Sequence, residues 1–161
     1  MNTEHIFTTE MTLPHNIDET FLFFSDAFNL ERITPPELRF SIVTPEPIEV
    51  KKGTQIDYRL RLWRIPFTWT TLITHWDPPH GFVDEQKKGP YKTWIHSHRF
   101  TEGSNETHIA DEVIYEMPFW PFGEIISPFI FKQISRIFHH RKSTIKNIFK
   151  NGANVQVEHT S

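Results

Sequence analysis

The sequence predicts an α+β helix-grip domain: a curved antiparallel sheet of about seven strands wrapped around a long C-terminal helix, with two short helices after the first strand. Three observations point there. Residues 38–117 alternate with a period of two between turn formers, residues after Pro121 recur at three and four, and no linker or internal repeat divides the chain. A length of 161 residues fits one domain able to bury a real core. The expected domain is 1–161, with its core at about 4–150 and a flexible tail at 151–161.

His5 to Leu13 alternates as a first strand, ended by Pro14. Asn16 is a good cap for a helix through Phe24, with Asp18 and Glu19 in its first turn. Phe21, Leu22, Phe24 and Phe28 form its apolar face, and Asn29 to Ile33 makes a second short helix before Pro35-Pro36. The next strands are expected at Leu38–Val43, Thr54–Arg64, Phe67–Trp76, Phe82–Lys88, Thr93–Thr101 and Thr107–Met117. Short breaks such as Ile65-Pro66, Gly89-Pro90 and Gly103-Ser104-Asn105 make consecutive strands antiparallel neighbours. Ile130, Ile134, Ile137, Phe138, Arg141, Ile145 and Ile148 then mark one face of a helix to about Lys150. Ser127-Pro128 reads as its cap and first turn, or as a kink within it. Such a helix after a long sheet packs lengthwise across one face, and the sheet curls around it.

Composition narrows the function. Lys and Arg number 17 against 20 Asp and Glu, giving a net charge of −3 without a basic stripe, so nucleic acid is not an expected partner. Cysteine is absent, and the start lacks the basic-then-apolar signature of a signal peptide, so a cytoplasmic location is expected. No apolar run approaches the roughly 20 residues of a membrane span, so stable membrane insertion is not expected. Fifteen Phe, five Trp and three Tyr exceed what a small core needs, and some of them suit a cavity lining.

The run Thr34-Pro35-Pro36-Glu37-Leu38, the strand Gly53 to Leu60, Trp76-Asp77-Pro78-Pro79, Phe82 to Gln86, Gly89-Pro90-Tyr91 and Trp94 to His98 together resemble the START-like (SRPBCC) superfamily. Within it, they are similar to a bacterial ligand-binding subfamily often described as polyketide cyclase/dehydrase-like. The resemblance spans roughly residues 4 to 150 and implies a helix-grip fold with a deep hydrophobic pocket. It implies no particular reaction, since the superfamily includes lipid carriers, hormone receptors, cyclases and chaperone regulators.

Strand alternation assigns faces. Phe82, Asp84 and Gln86 share one side, as do Trp94, His96, His98 and Phe100, and Asp111, Val113 and Tyr115. Even pairing about the Gly103-Ser104-Asn105 turn sets His98 beside Asp111 and Trp94 beside Tyr115. Tyr58 and Leu60 join this inward face, and Ile130, Ile134 and Phe138 face it from the helix. The resulting wall is polar within an apolar cavity, and buried carboxylates need partners such as imidazoles.

Three roles fit these residues. The favoured one binds a hydrophobic or amphipathic small molecule, lipid-, polyketide- or steroid-like. A second is a cofactor-free cyclase or dehydratase using His98 and Asp111, with His96, as acid and base. A third is a protein-interaction module with a vestigial pocket. A His–Asp pair that simply satisfies itself and pins the strand register is the bland alternative to catalysis. His96 and His98 could reach one ion, but the surrounding run fails as a cupin motif, and neither a metal nor a cofactor is expected. Met117 to Phe122 reads first as a buried connector over the barrel mouth, with a pocket lid or a membrane-surface contact as the alternatives left open. The inward faces of Trp63, Trp69 and Trp76 stay open, because the register across Ile65-Pro66 is ambiguous.

Overall fold

The computed structural model describes residues 3–152. Strand β1 (Glu4–Leu13) leads into α1 (Ile17–Ser25) and α2 (Ala27–Ile33). Then come β2 (Ser41–Ile42), β3 (Gln55–Leu62), β4 (Ile65–Asp77), β5 (Gly81–Lys88), β6 (Thr93–Glu102), β7 (Thr107–Glu116) and the long α3 (Phe122–Lys150). All seven strands form one antiparallel sheet in the order β1-β7-β6-β5-β4-β3-β2. The flexible tail expected from 151 falls, beyond Gly152, outside the described residues.

Local chemistry explains the helix starts. The Asn16 side chain accepts from the Glu19 backbone N–H at 2.9 Å, capping α1, and Asp26 does the same for Phe28 at the head of α2. On α1 the inward residues are Ile17, Thr20, Phe21 and Phe23, whereas Leu22, expected on the buried face, is exposed.

Four expectations about boundaries are corrected. The strand expected at Leu38–Val43 shrinks to Ser41–Ile42, because Pro36–Leu38 closes a 3-10 turn and Arg39 follows at a φ of 45°. The β3–β4 turn falls at Trp63-Arg64, with φ of 48° and 69°, and not at Ile65-Pro66. Pro66 lies in the stretch of β4 that β5 does not reach, where a missing donor is tolerated. The long helix starts at Phe122 and runs through Pro128, so Ser127 is not its cap. Gly123 permits that early start. A Cβ there would overlap the Pro118 carbonyl oxygen, and the Gly123 N–H donates to Phe119 O at 3.1 Å.

The fourth correction concerns the link into α3. Phe119 is 84% exposed, Phe122 71%, Ile125 70% and Phe129 71%, and Trp120, Ile126 and Phe131 are exposed as well. The segment is an apolar ridge and not a buried connector. Beyond its first turn the helix buries Ile130, Ile134, Phe138, Ile145 and Phe149, while Ile125, Ile126, Phe129 and Phe131 of its N-terminal third stay exposed.

The core divides into three clusters, and the division matters for the site. Phe21, Phe23, Phe82, Phe100, Ile109, Ile145 and Phe149 pack at the end plugged by α1 and α2. Phe7, Val113, Tyr115, Ile130, Ile134 and Phe138 fasten the other end of α3 to β1 and β7. Leu38, Leu60 and Leu62 form the third under β3. A cavity lies between them.

Candidate functional site

The cavity, of about 180 Å³, is enclosed by the concave face of the sheet, by α2 and by the middle of α3. Cavities of ~150 Å³ are large enough to hold a benzene ring. Alternation along each strand aims the lining: Tyr58 and Leu60 from β3, Trp69 and Thr71 from β4, Asp84 from β5, Trp94, His96 and His98 from β6, and Asp111 from β7. From α3 come Ile134, Ile137, Phe138 and Arg141.

Of the twelve residues expected at the site, nine line this cavity: Tyr58, Leu60, Asp84, Trp94, His96, His98, Asp111, Ile134 and Phe138. Three do not. The Gln86 amide instead clamps the β5–β6 turn, donating to Tyr91 O at 2.8 Å and accepting from the Tyr91 N–H at 3.2 Å. Tyr115 is fully buried behind the wall, stacked on His5 at 5.2 Å and packed beneath Tyr91 and Trp94. Ile130 is spent in the packing of Phe7, Val113 and Tyr115.

Sequence reasoning missed Arg141 as a site residue. Its signal was present, since it falls three residues after Phe138 and four before Ile145 on the inward face. Arg141 sits over the Phe138 ring at 5.2 Å, and its Nε is buried without a hydrogen-bond partner among the described residues. Trp69 was missed for another reason. Two bulges break the β4–β5 register, one between Thr70 and Thr71 and one between Ile73 and His75. The second inverts parity, so Trp69 faces the cavity while Trp76, an odd number of residues later, still packs inward on Phe21 and Phe82. Trp63 lies in the exposed turn.

The polar wall is a ring of four side chains. His98 stands opposite Asp111 in the β6–β7 register, and His96 stands opposite Asp84 across β5–β6. Asp111 Oδ1 lies 2.8 Å from His98 Nδ1 and 3.5 Å from His96 Nε2. Asp84 Oδ2 lies 3.3 Å from His98 Nε2 and 3.5 Å from His96 Nδ1. The two imidazoles thus lie between the two carboxylates, ring centroids 3.9 Å apart. Only the His98–Asp84 approach is also a well-directed hydrogen bond. At Asp111 the oxygen lies off the N–H directions, leaving His96 Nε2, His98 Nδ1 and Asp111 Oδ1 close in charge but without directed bonds.

Their charges follow from burial and neighbours. Burial opposes charge on His98, but Asp111 and Asp84 overcome it and push its pKa up to about 9. His96 goes the other way: burial, then the adjacent His98 cation, outweigh the pull of both carboxylates and keep it neutral. Burial also opposes ionisation of both carboxyls. At Asp111 it is outweighed chiefly by His98, and at Asp84 by His96 and His98, so both stay below the usual carboxylate range. Arg141 is disfavoured by burial but supported by Asp111 and Asp84, and a guanidinium stays charged. Two anions and two cations therefore share the wall. Burial, and then Asp84, hold the Tyr58 phenol protonated at one side of it.

This architecture is a helix-grip fold, and known structures share it. The chain superposes on a START superfamily protein from Mycobacterium smegmatis with a TM-score of 0.70 at 11% identity, covering 91% of this chain and 98% of that one. A point mutant of norcoclaurine synthase from Thalictrum flavum, solved with a transition-state analogue, gives 0.69 at 14% identity over 94% and 97%. Ara h 8.0201 gives 0.61 at 14% identity over 88% and 97%. At these identities the likeness is one of fold. No protein-family model matches the sequence, and no curated protein matches it either.

Proposed function

We propose that the chain binds an amphipathic small molecule, lipid-, polyketide- or steroid-like, in the cavity between its sheet and α3. The observation that carries this reading is the cavity's division: apolar walls from Leu60, Trp69, Ile134 and Phe138, and one polar wall from Asp84, His96, His98, Asp111 and Arg141. An apolar body desolvates against the first, while a polar group on the same molecule meets the charged side chains of the second. The norcoclaurine synthase complex supports it by analogy, since that protein of the same fold holds a transition-state analogue.

Native mass spectrometry of the purified chain, followed by thermal shift with fatty acids, sterols and aromatic polyketides, tests this. A retained small molecule, or a melting temperature raised by ligand at about 100 times its Kd (worth about 2.7 kcal/mol), is the expected result. Ile134→Trp, which fills the cavity, removes the shift. The absence of both a retained molecule and any shift overturns the reading.

A second reading makes the same wall acid/base machinery, favoured by the 2.8 Å approach of Asp111 to His98. It requires that His98→Ala and Asp111→Asn abolish turnover of a bound ligand while leaving its binding measurable. The interaction-module reading draws on the apolar ridge at 119–131, but the charge-balanced cavity argues against a vestigial pocket.

A further inference from the structure

The ring of four has a geometry that charge balance does not require. Asp84, His96 and His98 each bring one ligand atom within 4.8 Å of the others, and Asp84 Oδ2 lies 3.3 Å from His98 Nε2 and 3.5 Å from His96 Nδ1. Donors bound at ~2.1 Å around one tetrahedral ion stand about 3.4 Å apart, so these two edges already have the length of a coordination shell.

The far sides of the rings match as well. The remaining ring nitrogens, His98 Nδ1 and His96 Nε2, lie 2.8 Å and 3.5 Å from one atom, Asp111 Oδ1. Metal-bound histidines ordinarily direct the other ring N–H to a carboxylate, which sets the tautomer and the ring's orientation. Here one carboxylate lies close to both rings. The atoms on this side, His96 Nε2, His98 Nδ1 and Asp111 Oδ1, are all buried and lack directed hydrogen bonds.

We propose that Asp84, His96 and His98 form a site for a first-row divalent transition-metal ion, with Asp111 orienting both imidazoles and the open coordination position facing the cavity. Two nitrogens and one oxygen select zinc or ferrous iron over magnesium or calcium, which prefer all-oxygen shells. The three donors come from the adjacent strands β5 and β6, a rigid base for a small site. With Arg141 beside the same carboxylates, an ion here leaves this polar wall net positive, which suits an anionic oxygen on whatever occupies the cavity. The site stands apart from the ligand-binding proposal, because the ion is measured alone.

The test uses the whole chain, treated with EDTA and dialysed, with ZnCl2 as the probe. Calorimetry is expected to show one saturable site per chain. Proton–nitrogen NMR of the imidazoles, which needs no variant, is expected to move His96 Nδ1 and His98 Nε2 while their other nitrogens keep protons. Asp84→Asn weakens binding by more than about 100-fold, and Asp111→Asn by about 10–100-fold. His80→Ala, exposed beside Asp77, leaves it unchanged. MgCl2 gives no saturable binding. The proposal is overturned by absence of saturable zinc binding, by shifts confined to other imidazoles, or by undiminished affinity in a folded Asp84→Asn variant. Thermal shifts with organic ligands in EDTA report on the cavity reading separately.

Discussion

At His98, burial favours the neutral ring and two carboxylates favour the cation, and the carboxylates prevail, raising its pKa from 6.5 to about 9. A group raised on folding stabilises the fold fully below its unfolded pKa, and that contribution is lost as pH climbs through the folded value. In metal-free protein, stability is therefore expected to fall between about pH 6.5 and 9, by about 3 kcal/mol for the proton at His98. Asp84 and Asp111 act with the opposite sign. Their stabilisation is present above 3.8 and is lost as pH drops below it. Urea midpoints across pH in EDTA measure this. Equal midpoints at pH 6 and pH 9 contradict the assignment, and Asp111→Asn should flatten the alkaline limb. At pH 6, Asp111→Ala removes the nearer partner of a buried cation and should cost on the order of 3–5 kcal/mol. The pairing behind these predictions was legible in the sequence, because alternation counted outward from a short turn places His98 against Asp111 without tertiary information. Gln86 and Tyr115 obey the same alternation yet miss the cavity, since which inward residues reach empty space depends on how neighbours pack. The sequence marks Arg141 on the inward face of the helix but not as a site residue, because the carboxylates beside it, Asp84 and Asp111, come from strands distant in sequence.

Strand and helix identity came through where periodicity was long, in β1 and in β3 through β7, and in α3. Boundaries failed where backbone geometry overrode residue preference. The β3–β4 hairpin bends at Trp63-Arg64, two non-glycine residues at positive φ, instead of at the proline that follows. Left-handed geometry costs a residue with a Cβ roughly 1 kcal/mol, so Arg64→Gly should stabilise the hairpin by about that amount, read as a raised melting temperature. At Gly123 the reverse holds. A methyl group would collide with the Pro118 carbonyl, and Gly123→Ala should destabilise by about 1–3 kcal/mol or unwind the first turn of α3, visible as lost helical circular dichroism. Trp76 was unreadable because a bulge changes parity without leaving a mark in residue type.

Over the whole molecule, no helix among the described residues is long and apolar enough to cross a membrane, yet Phe119, Phe122, Ile125 and Phe129 stand exposed along one ridge. Contiguous exposed apolar surface promotes association. The double substitution Phe122→Ser with Phe129→Ser should leave the melting temperature nearly unchanged and reduce self-association at high concentration, measured by light scattering. A large loss of stability would mean that the ridge packs against the fold. The strand order carries a consequence for biosynthesis. Among the described residues β1 pairs with β7 alone, from Glu4 opposite Glu116 to Leu13 opposite Thr107, so the first strand of this sheet to be synthesised must wait for its last. At ~5–20 residues per second, the intervening stretch of about 100 residues takes on the order of 5–20 s to be made. Throughout that interval Phe7, Met11 and Leu13, buried in the folded protein, have neither their strand partner nor α3 to cover them.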